Sequence, residues 1–315
     1  MKKQFSLMIL VLLLTACQNT SSIGPTAPTP TSGPTPTRSS VEAHIPVLDH
    51  VIVILFENRS YQQVIDGQDT PTFNSLAKQN VLLTNYHAAA HPSLPNYLAI
   101  IGGDTFGITS DCTNCFINQP SLPDLIADSG RTWKTYQEDL PSPCFVGNAG
   151  QYFQKHDPFI YFDPIRTNPT RCDHSIVPLK QLDTDLAANQ LPDYAFIMPN
   201  ICHSAHDCTL SVADQWLNQL MQKLLGTPAL GKNYLIAITF DESAPGDNSS
   251  CCGMPASAGG NVATILISPQ AKSGYQDSTP LSHYSLLKTI LLSWQLPELG
   301  YTALSSTEPI TAIWK

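Results

Sequence analysis

The stretch Asp49–Glu57, DHVIVILFE, decides the fold class of this chain. It is a continuous apolar run rich in β-branched residues, a pattern typical of a strand buried on both faces of a parallel sheet. Comparable runs recur as VLLTNYHAA (81–89), DYAFIMPN (193–200), KNYLIAITFDE (232–242) and NVATILISP (261–269). Amphipathic helical patterns such as SVADQWLNQLMQKLLG (211–226) alternate with them. This alternation predicts an α/β fold around a mostly parallel sheet.

Composition limits the classes of function. The chain has 315 residues, of which 42% are apolar and 13% charged, which is enough for one large domain or two small ones. The formal net charge of −9 argues against binding nucleic acid, since a polyanion needs a basic surface. A small anionic substrate stays possible, because a metal ion can reverse the local charge.

The N-terminus has the pattern of an export signal. MKKQFSLMILVLLLTAC (1–17) joins two lysines to an apolar core that is too short to span a bilayer. Its end, LTAC (14–17), resembles a bacterial lipobox, which predicts a signal peptide at 1–16 and lipidation of Cys17; an ordinary signal peptide is the alternative. Residues 17–43, rich in Thr, Pro and Ser, predict a tether. Residues 44–315 then form a single domain of an extracytoplasmic lipoprotein, anchored in the membrane at the cell surface or in the periplasm.

The cysteine count favours disulfides over a metal site. Eight cysteines remain after Cys17: Cys112, Cys115, Cys144, Cys172, Cys202, Cys208, Cys251 and Cys252. An even number in an exported chain predicts disulfide bonds, with Cys112–Cys115 and Cys202–Cys208 as plausible local pairs. A zinc site is the rival interpretation, but the chain has only one CxxC spacing.

Polar side chains follow three predicted strands, and each group has an ordinary explanation as a helix cap, a solvated turn or a surface pair. The groups are Glu57–Asn58 after the first strand, Asp241–Glu242 after the strong late strand, and His203, His206 and Asp207 after DYAFIMPN. In open α/β sheets, ligands bind beyond the carboxyl ends of strands. Several carboxylates buried at one edge need a cation. The combination therefore predicts a divalent metal site.

Ser93 is the candidate nucleophile. It lies between Pro92 and Pro95, at the start of an apolar helical segment, SLPNYLAIIGG (93–103). A hydroxyl there meets the positive end of the helix dipole, and a metal ion can activate it. Phosphoryl transfer is the reaction that most needs a metal with positioned donors. A simple helix cap is the alternative role for this serine.

These motifs together resemble the bacterial phosphoesterase family, which contains acid phosphatases and non-specific phospholipases C of the alkaline-phosphatase-like superfamily. The resemblance rests on HVIVILFENRSYQQVI, TNYHAAAHPSLPNYLAI, MPNICHSAHDC and ITFDES followed by NVATILISP and LSHYSLLKTI, in the family's order. It covers about residues 50–296. It implies a three-layer α/β/α sandwich and a metal-dependent phosphoesterase, most simply a phosphomonoesterase with a phosphoserine intermediate.

The resemblance also implies roles for individual residues. The metal ligands would be Glu57, Asn58, Ser93, Asp241 and Glu242. His206 and Asp207 would hold the phosphate or protonate the leaving group. The substrate-binding set would be His91, Asn96, His203 and His283.

The chain departs from the family's pattern at two positions. The first favours the small, phosphatase-like branch, and the second removes one negative charge expected at the site. Tyr97 stands where many phospholipases C, and the sulfatases of the superfamily, have arginine, and Ser204 stands where an acid is common. The predicted substrate is a small phosphoester or a phospholipid. A phospholipase C-like phosphodiesterase and a non-catalytic, ligand-binding surface lipoprotein remain as alternatives.

Overall fold

A computed structural model describes residues 45–253 and 258–315 of the chain. The predicted signal peptide, the lipidation site Cys17 and the tether lie outside these residues and stay predictions. No helix in the described part is long and apolar enough to cross a membrane.

The described residues alternate strands and helices, as the sequence predicts. The strands are β1 His50–Phe56, β2 Val81–Leu83, β3 Tyr86–His87, β4 Trp133–Gln137, β5 Ile176–Pro178, β6 Tyr194–Met198, β7 Tyr234–Phe240, β8 Thr264–Ile267, β9 Tyr275–Asp277 and β10 Leu281–Ser282. The helices are α1 Tyr61–Val64, α2 Pro71–Gln79, α3 Ser93–Gly102, α4 Leu122–Asp128, α5 Asp163–Arg166, α6 Pro169–Ser175, α7 Gln181–Ala187, α8 Leu210–Leu225 and α9 His283–Ser293. Short 3₁₀ turns occur at Gln154–His156, Pro158–Tyr161, Pro228–Leu230 and Gly300–Ala303.

The main sheet has eight strands in the order β5-β4-β6-β1-β7-β8-β2-β9. Strand β8 runs antiparallel to both of its neighbours, whereas the other pairs are parallel. All residues from Val51 to Phe56 are fully buried, so helices cover both faces of the sheet. Helix α3 packs with α9, and α2 packs with α8. The predicted α/β fold with a mostly parallel sheet is confirmed.

One strand prediction was wrong in part. The run VLLTNYHAA forms two short strands, β2 and β3, and β3 pairs with β10 in a separate two-stranded sheet. The chain bends at Thr84 and Asn85, which bond instead to the backbone of Asp277 and Ser278. The segment after β3 thereby leaves the main sheet and leads towards the start of α3.

The parallel register of β1 and β7 brings their polar ends together. Phe56 lies opposite Phe240, so Glu57 and Asp241 leave the sheet side by side. The backbone N–H of Asp241 also donates to the carbonyl of Phe56 at 2.9 Å. Helix α3 ends at Gly103, whose φ of +74° and close approach to the Leu299 carbonyl leave no space for a Cβ.

The eight cysteines predicted to form disulfides do so, in the pairs Cys112–Cys115, Cys144–Cys172, Cys202–Cys208 and Cys251–Cys252. The two predicted local pairs are confirmed, and the zinc interpretation of these cysteines was wrong. The Cys202–Cys208 bridge closes the loop after β6 that carries His206 and Asp207.

Candidate active site

Ser93 is the first residue of α3 and does not cap the helix. Pro92 occupies the cap position, and the Leu94 N–H donates to Asp111 Oδ1 at 2.9 Å instead. The Ser93 side chain is 1% exposed. Ser93 therefore does not act as the cap of this helix.

The Ser93 hydroxyl lies among acceptors. Its Oγ is 3.1 Å from Glu57 Oε2, 3.1 Å from Glu242 Oε1 and 3.3 Å from Asn58 Oδ1. One hydroxyl has a single proton and can satisfy only one of these oxygens at a time. The surplus of oxygen atoms makes this a hard, oxygen-rich site.

The carboxylates around Ser93 carry charge that the protein itself leaves poorly compensated. Glu57 and Asp241 are fully buried, and Glu242 is 4% exposed. Burial raises the pKa of Glu57 to about 7. Burial, together with the charges of Glu57 and Glu242, raises the pKa of Asp241 well above its ordinary value. Desolvation and mutual repulsion thus both oppose ionisation of these groups.

Asn58 joins the carboxylates through its backbone and its amide. Its φ of +48° turns the chain at the end of β1, and its N–H donates to Asp241 Oδ1 at 2.9 Å. Its side-chain oxygen faces only acceptors, an arrangement that exchanging the two amide atoms would relieve with bonds to Asp241 and Glu57 at 3.2 and 2.8 Å.

The predicted ligand set fits a hard divalent cation. Carboxylate, amide and hydroxyl oxygens are the donors that such ions prefer. Within residues 45–253 and 258–315, no group of three or more His, Cys, Asp or Glu side chains is placed so that it could hold a metal ion. The donors that converge are two carboxylates, an amide and a hydroxyl around one point, with the Asp241 carboxylate beside Asn58.

His91 contacts the carboxylate side of the site. Its Nδ1 hydrogen-bonds Glu242 Oε2, and its Nε2 lies 3.1 Å from the Asp247 carbonyl oxygen. The hydrogen bond to Glu242 raises the pKa of His91. As placed, His91 orients the Glu242 carboxylate.

His206 and Asp207 form a pair at the opposite rim. His206 Nδ1 lies 2.6 Å from Asp207 Oδ1, and its Nε2 lies 3.5 Å from Lys155 Nζ. Arg59 holds this loop by donating to the carbonyls of Ala205 and Cys208 at 2.5 and 3.3 Å. The Nδ1 atom of the imidazole thus faces Asp207, and its Nε2 atom faces Lys155.

The phosphoesterase family model matches residues 64–297 of this chain. The chain belongs to the phosphoesterase family. Its relatives in the family include an acid phosphatase of Aspergillus fumigatus, 33% identical over 83% of this chain and 60% of that protein. They also include a phosphatidylinositol-3-phosphatase of Mycobacterium tuberculosis, 32% identical over 86% of this chain and 84% of that protein. The chain thus spans about three fifths of the fungal relative's length.

A solved structure shares the fold of this phosphoesterase family member. A protein of the alkaline phosphatase superfamily from Vibrio parahaemolyticus superposes with a TM-score of 0.58 at 13% identity, over 87% of this chain and 72% of that one. This likeness confirms the predicted alkaline-phosphatase-like α/β/α fold.

Two members of the predicted substrate-binding set have other roles. Asn96 is fully buried, and its amide bonds the backbone of Ala89, Ala90 and Pro92, so it shapes the loop before α3. His283 is also fully buried and contacts the Tyr86 hydroxyl and the Asp241 carbonyl oxygen. In this arrangement both side chains are occupied by bonds within the protein that support the loop before α3 and the end of β7.

His203 lies apart from Ser93. Its Nδ1 is 2.9 Å from Glu138 Oε2, and its ring stacks near Trp216. With Lys223 and other residues it lines a different cleft, beyond β4 and β6. The prediction that His203 binds the phosphoryl group therefore has no support in its contacts.

Sequence reasoning missed three side chains at the site. Tyr97 donates its hydroxyl proton to Glu57 Oε1, and His156 Nε2 lies 3.1 Å from the same oxygen. Lys155 Nζ is 3.1 Å from Asp111 Oδ2. Tyr97 follows Ser93 by four residues, so helical periodicity could have placed it on the same face. Lys155 and His156 lie in a 3₁₀ turn without a periodic pattern that would place them there.

Lys155 stays charged in this environment. Burial alone would lower the pKa of its ammonium group, but the negative charges of Glu57 and Asp111 outweigh burial and raise the pKa. His156 behaves in the opposite way, since full burial and the neighbouring Lys155 lower its pKa well below the usual value. The site therefore holds one cationic lysine beside a neutral histidine.

Proposed function

We propose that this chain is a metal-dependent phosphoesterase, most simply a phosphomonoesterase that works through a phosphoserine intermediate at Ser93. The observation that carries the proposal is the position of the Ser93 hydroxyl, at a helix N-terminus and within 3.3 Å of Glu57, Glu242 and Asn58. Membership of the family and relatives named as acid phosphatases support it. The mycobacterial relative's name favours a phosphoinositide as one substrate class to examine.

Glu57, Asn58, Ser93, Asp241 and Glu242 would hold the divalent cation. When bound, it would lower the pKa of the serine hydroxyl and neutralise charge that develops on the phosphoryl oxygens.

The chain's own residues would carry out the transfer in two steps. In the first, Ser93 Oγ forms a bond to phosphorus and loses its proton to a carboxylate that already accepts its hydrogen bond. The bond between phosphorus and the leaving oxygen breaks, and His206, oriented by Asp207, gives that oxygen a proton. In the second, water attacks the phosphoserine while His206 takes its proton, and Ser93 leaves with a proton from the carboxylate. The products are an alcohol and inorganic phosphate.

The decisive experiment compares Ser93→Ala with a matched serine variant. Ser293 is equally buried, but its hydroxyl only ties α9 to the backbone at Pro46 and Leu48. We expect the purified full chain to hydrolyse p-nitrophenyl phosphate with a divalent metal and to stop when a chelator is added. Ser93→Ala should lose on the order of 10³-fold or more in kcat, whereas Ser293→Ala should keep its turnover.

Four outcomes would change the assignment. Full activity of Ser93→Ala would show that Ser93 is not the nucleophile. Equal activity in chelator and with added metal would show that the reaction does not depend on a metal. If the wild type hydrolyses neither p-nitrophenyl phosphate nor p-nitrophenyl phosphorylcholine with any divalent metal, the non-catalytic binding protein is the better account. A phosphodiesterase is favoured if only the choline ester is hydrolysed.

A further inference from the structure

We propose that Lys155 binds the substrate's phosphoryl group and makes the site prefer dianionic phosphomonoesters to monoanionic phosphodiesters. This inference rests on the proposed function and adds the residue that selects the substrate class.

The first support is the position of the ammonium group. Lys155 Nζ lies 3.1 Å from Asp111 Oδ2 and 3.5 Å from His206 Nε2. The other oxygen of Asp111 accepts the N–H of Leu94, the residue after the nucleophile, at 2.9 Å. Through these contacts, the ammonium is held between the start of α3 and the proposed proton donor. Under the proposal, a phosphoryl group held between Ser93 and His206 during transfer would lie next to this ammonium group.

The second support is the charge of the site. Glu57, Asp241 and Glu242 carry three negative charges when ionised, so a divalent cation leaves one in excess. A phosphomonoester adds two more negative charges above about pH 7, whereas a diester adds one. Of the described side chains that bond to His206 or Asp111, the positively charged one is Lys155. The positive charge of Lys155 therefore favours binding of the dianionic phosphomonoester over the monoanionic diester.

The third support is the way the lysine is held. Its side chain is 14% exposed, and that of its partner Asp111 is 31% exposed. A pair of this kind contributes little to stability when solvent screens it. The adjacent residue, His156, lies with its Nε2 atom 3.1 Å from Glu57 Oε1, so this turn is next to the predicted metal ligands. Ordering a largely buried lysine side chain costs conformational entropy, and a bound anion would offset part of that cost.

The experiment compares two substrates with one leaving group. In the full chain with its metal at pH 8, kcat/KM is measured for p-nitrophenyl phosphate and p-nitrophenyl phosphorylcholine. Lys155→Gln should lower the monoester value by roughly tenfold to a hundredfold, the effect of losing one charged hydrogen bond. The diester value should change much less. Lys155→Arg should restore most of the monoester preference, and Lys155→Met should behave as Lys155→Gln does.

A matched lysine serves as control. Lys134 is similarly half-buried in a pair with Asp185 at 2.6 Å, away from Ser93 on strand β4. Lys134→Gln should leave the ratio of the two kcat/KM values unchanged. An equal loss on both substrates in Lys155→Gln, or no loss on the monoester, would overturn the inference.

A binding measurement separates this inference from the proposed function. Inorganic phosphate should raise the melting temperature of the metal-loaded wild type and of Lys134→Gln, and it should raise that of Lys155→Gln much less. If the wild type hydrolyses neither ester, the proposed function fails, while the phosphate-induced shift still judges Lys155. An equal shift in wild type and Lys155→Gln would contradict phosphoryl binding by this lysine. The melting curves also report whether each variant is folded.

Discussion

Two of the regions that bury carboxylates differ in how the protein compensates the negative charge. Beside β4, Asp185 accepts hydrogen bonds from Lys134 at 2.6 Å, Tyr136 at 2.7 Å and Gln181 at 3.0 Å. Burial alone would raise the pKa of Asp185, but the bonds from Lys134 and Gln181 outweigh it and lower the pKa. The chain itself completes this site.

At the ends of β1 and β7, the balance has the opposite sign. Burial raises the pKa of Glu57 and of Asp241, and neighbouring carboxylates add to the effect. The comparison shows that the free-energy cost of a buried carboxylate depends on whether hydrogen-bond donors and positive charges compensate it, and not on burial alone. A carboxylate that the chain pairs serves the fold. A cluster that the chain leaves without enough positive charge is suited to a cation from solution.

The largest expected difference between the two regions is in turnover. Glu57→Gln should lower kcat/KM for p-nitrophenyl phosphate by on the order of 10³-fold, because it removes a ligand charge from the metal site. Asp185→Asn should stay within about twofold of the wild type, since nothing about a structural pair acts in the transition state. Steady-state kinetics at saturating metal check both. Similar losses in the two variants would break the comparison.

The next difference is in stability, where the order reverses. In chelator, Asp185→Asn should cost about 1–2 kcal/mol of unfolding free energy, because it leaves the partly exposed Lys134 without its charged partner. Asp241→Asn should cost nothing or stabilise, since it removes one of several repelling carboxylates. Urea unfolding of both variants measures this. A greater loss in Asp241→Asn than in Asp185→Asn would show that the chain already compensates the cluster.

A buried carboxylate in a third region, Asp157, sharpens the comparison by its pH dependence. Asp157 is fully buried, and the Tyr152 hydroxyl lies 3.2 Å from its Oδ2. Burial raises its pKa from 3.8 to about 7. The folded state thus binds the proton more tightly than the unfolded state. The stability that this group contributes is complete below about pH 3.8 and is lost as the pH rises towards 7.

The smallest expected effect follows from that sign. Between pH 5 and 7, Asp157 should lower the unfolding free energy by about 1 kcal/mol per pH unit. Asp157→Asn, which stays neutral, should remove that part of the slope, and Asp185→Asn should not. Urea titrations at several pH values compare the slopes. An unchanged slope in Asp157→Asn would mean that Asp157 is ionised in the folded protein throughout this range.

The fold and the charged part of the site were predictable because both follow from strand patterns. The apolar runs ending in Glu57 and Asp241 indicate parallel neighbours, and parallel neighbours end at one edge of a sheet. Ser93 was predictable from its place before an apolar helical run. The sequence could not show which polar residues bond to the surrounding protein, as Asn96 and His283 do; their predicted substrate-binding role stays a prediction.

The remaining site residues come from parts of the chain without periodicity. Lys155 and His156 lie in a 3₁₀ turn of the cysteine-bearing middle region, where no repeat of apolar residues fixes which side chains point inward. Their approach to the site depends on long-range packing of that turn against α3. His203 lies in a loop stabilised by a disulfide, and a three-residue separation from His206 in such a loop does not imply a shared direction.

The most direct test of the central claim is the response of stability to metal. The melting temperature of the full chain is measured in chelator and with excess Mg²⁺, Ca²⁺, Mn²⁺ or Zn²⁺, for wild type, Asp241→Asn and Asp185→Asn. At least one cation should raise the melting temperature of the wild type and of Asp185→Asn by ~5 °C when present well above its Kd, and that of Asp241→Asn far less. If no divalent cation shifts the wild type, or if Asp241→Asn shifts as much as the wild type, the carboxylates at the ends of β1 and β7 do not form a metal site.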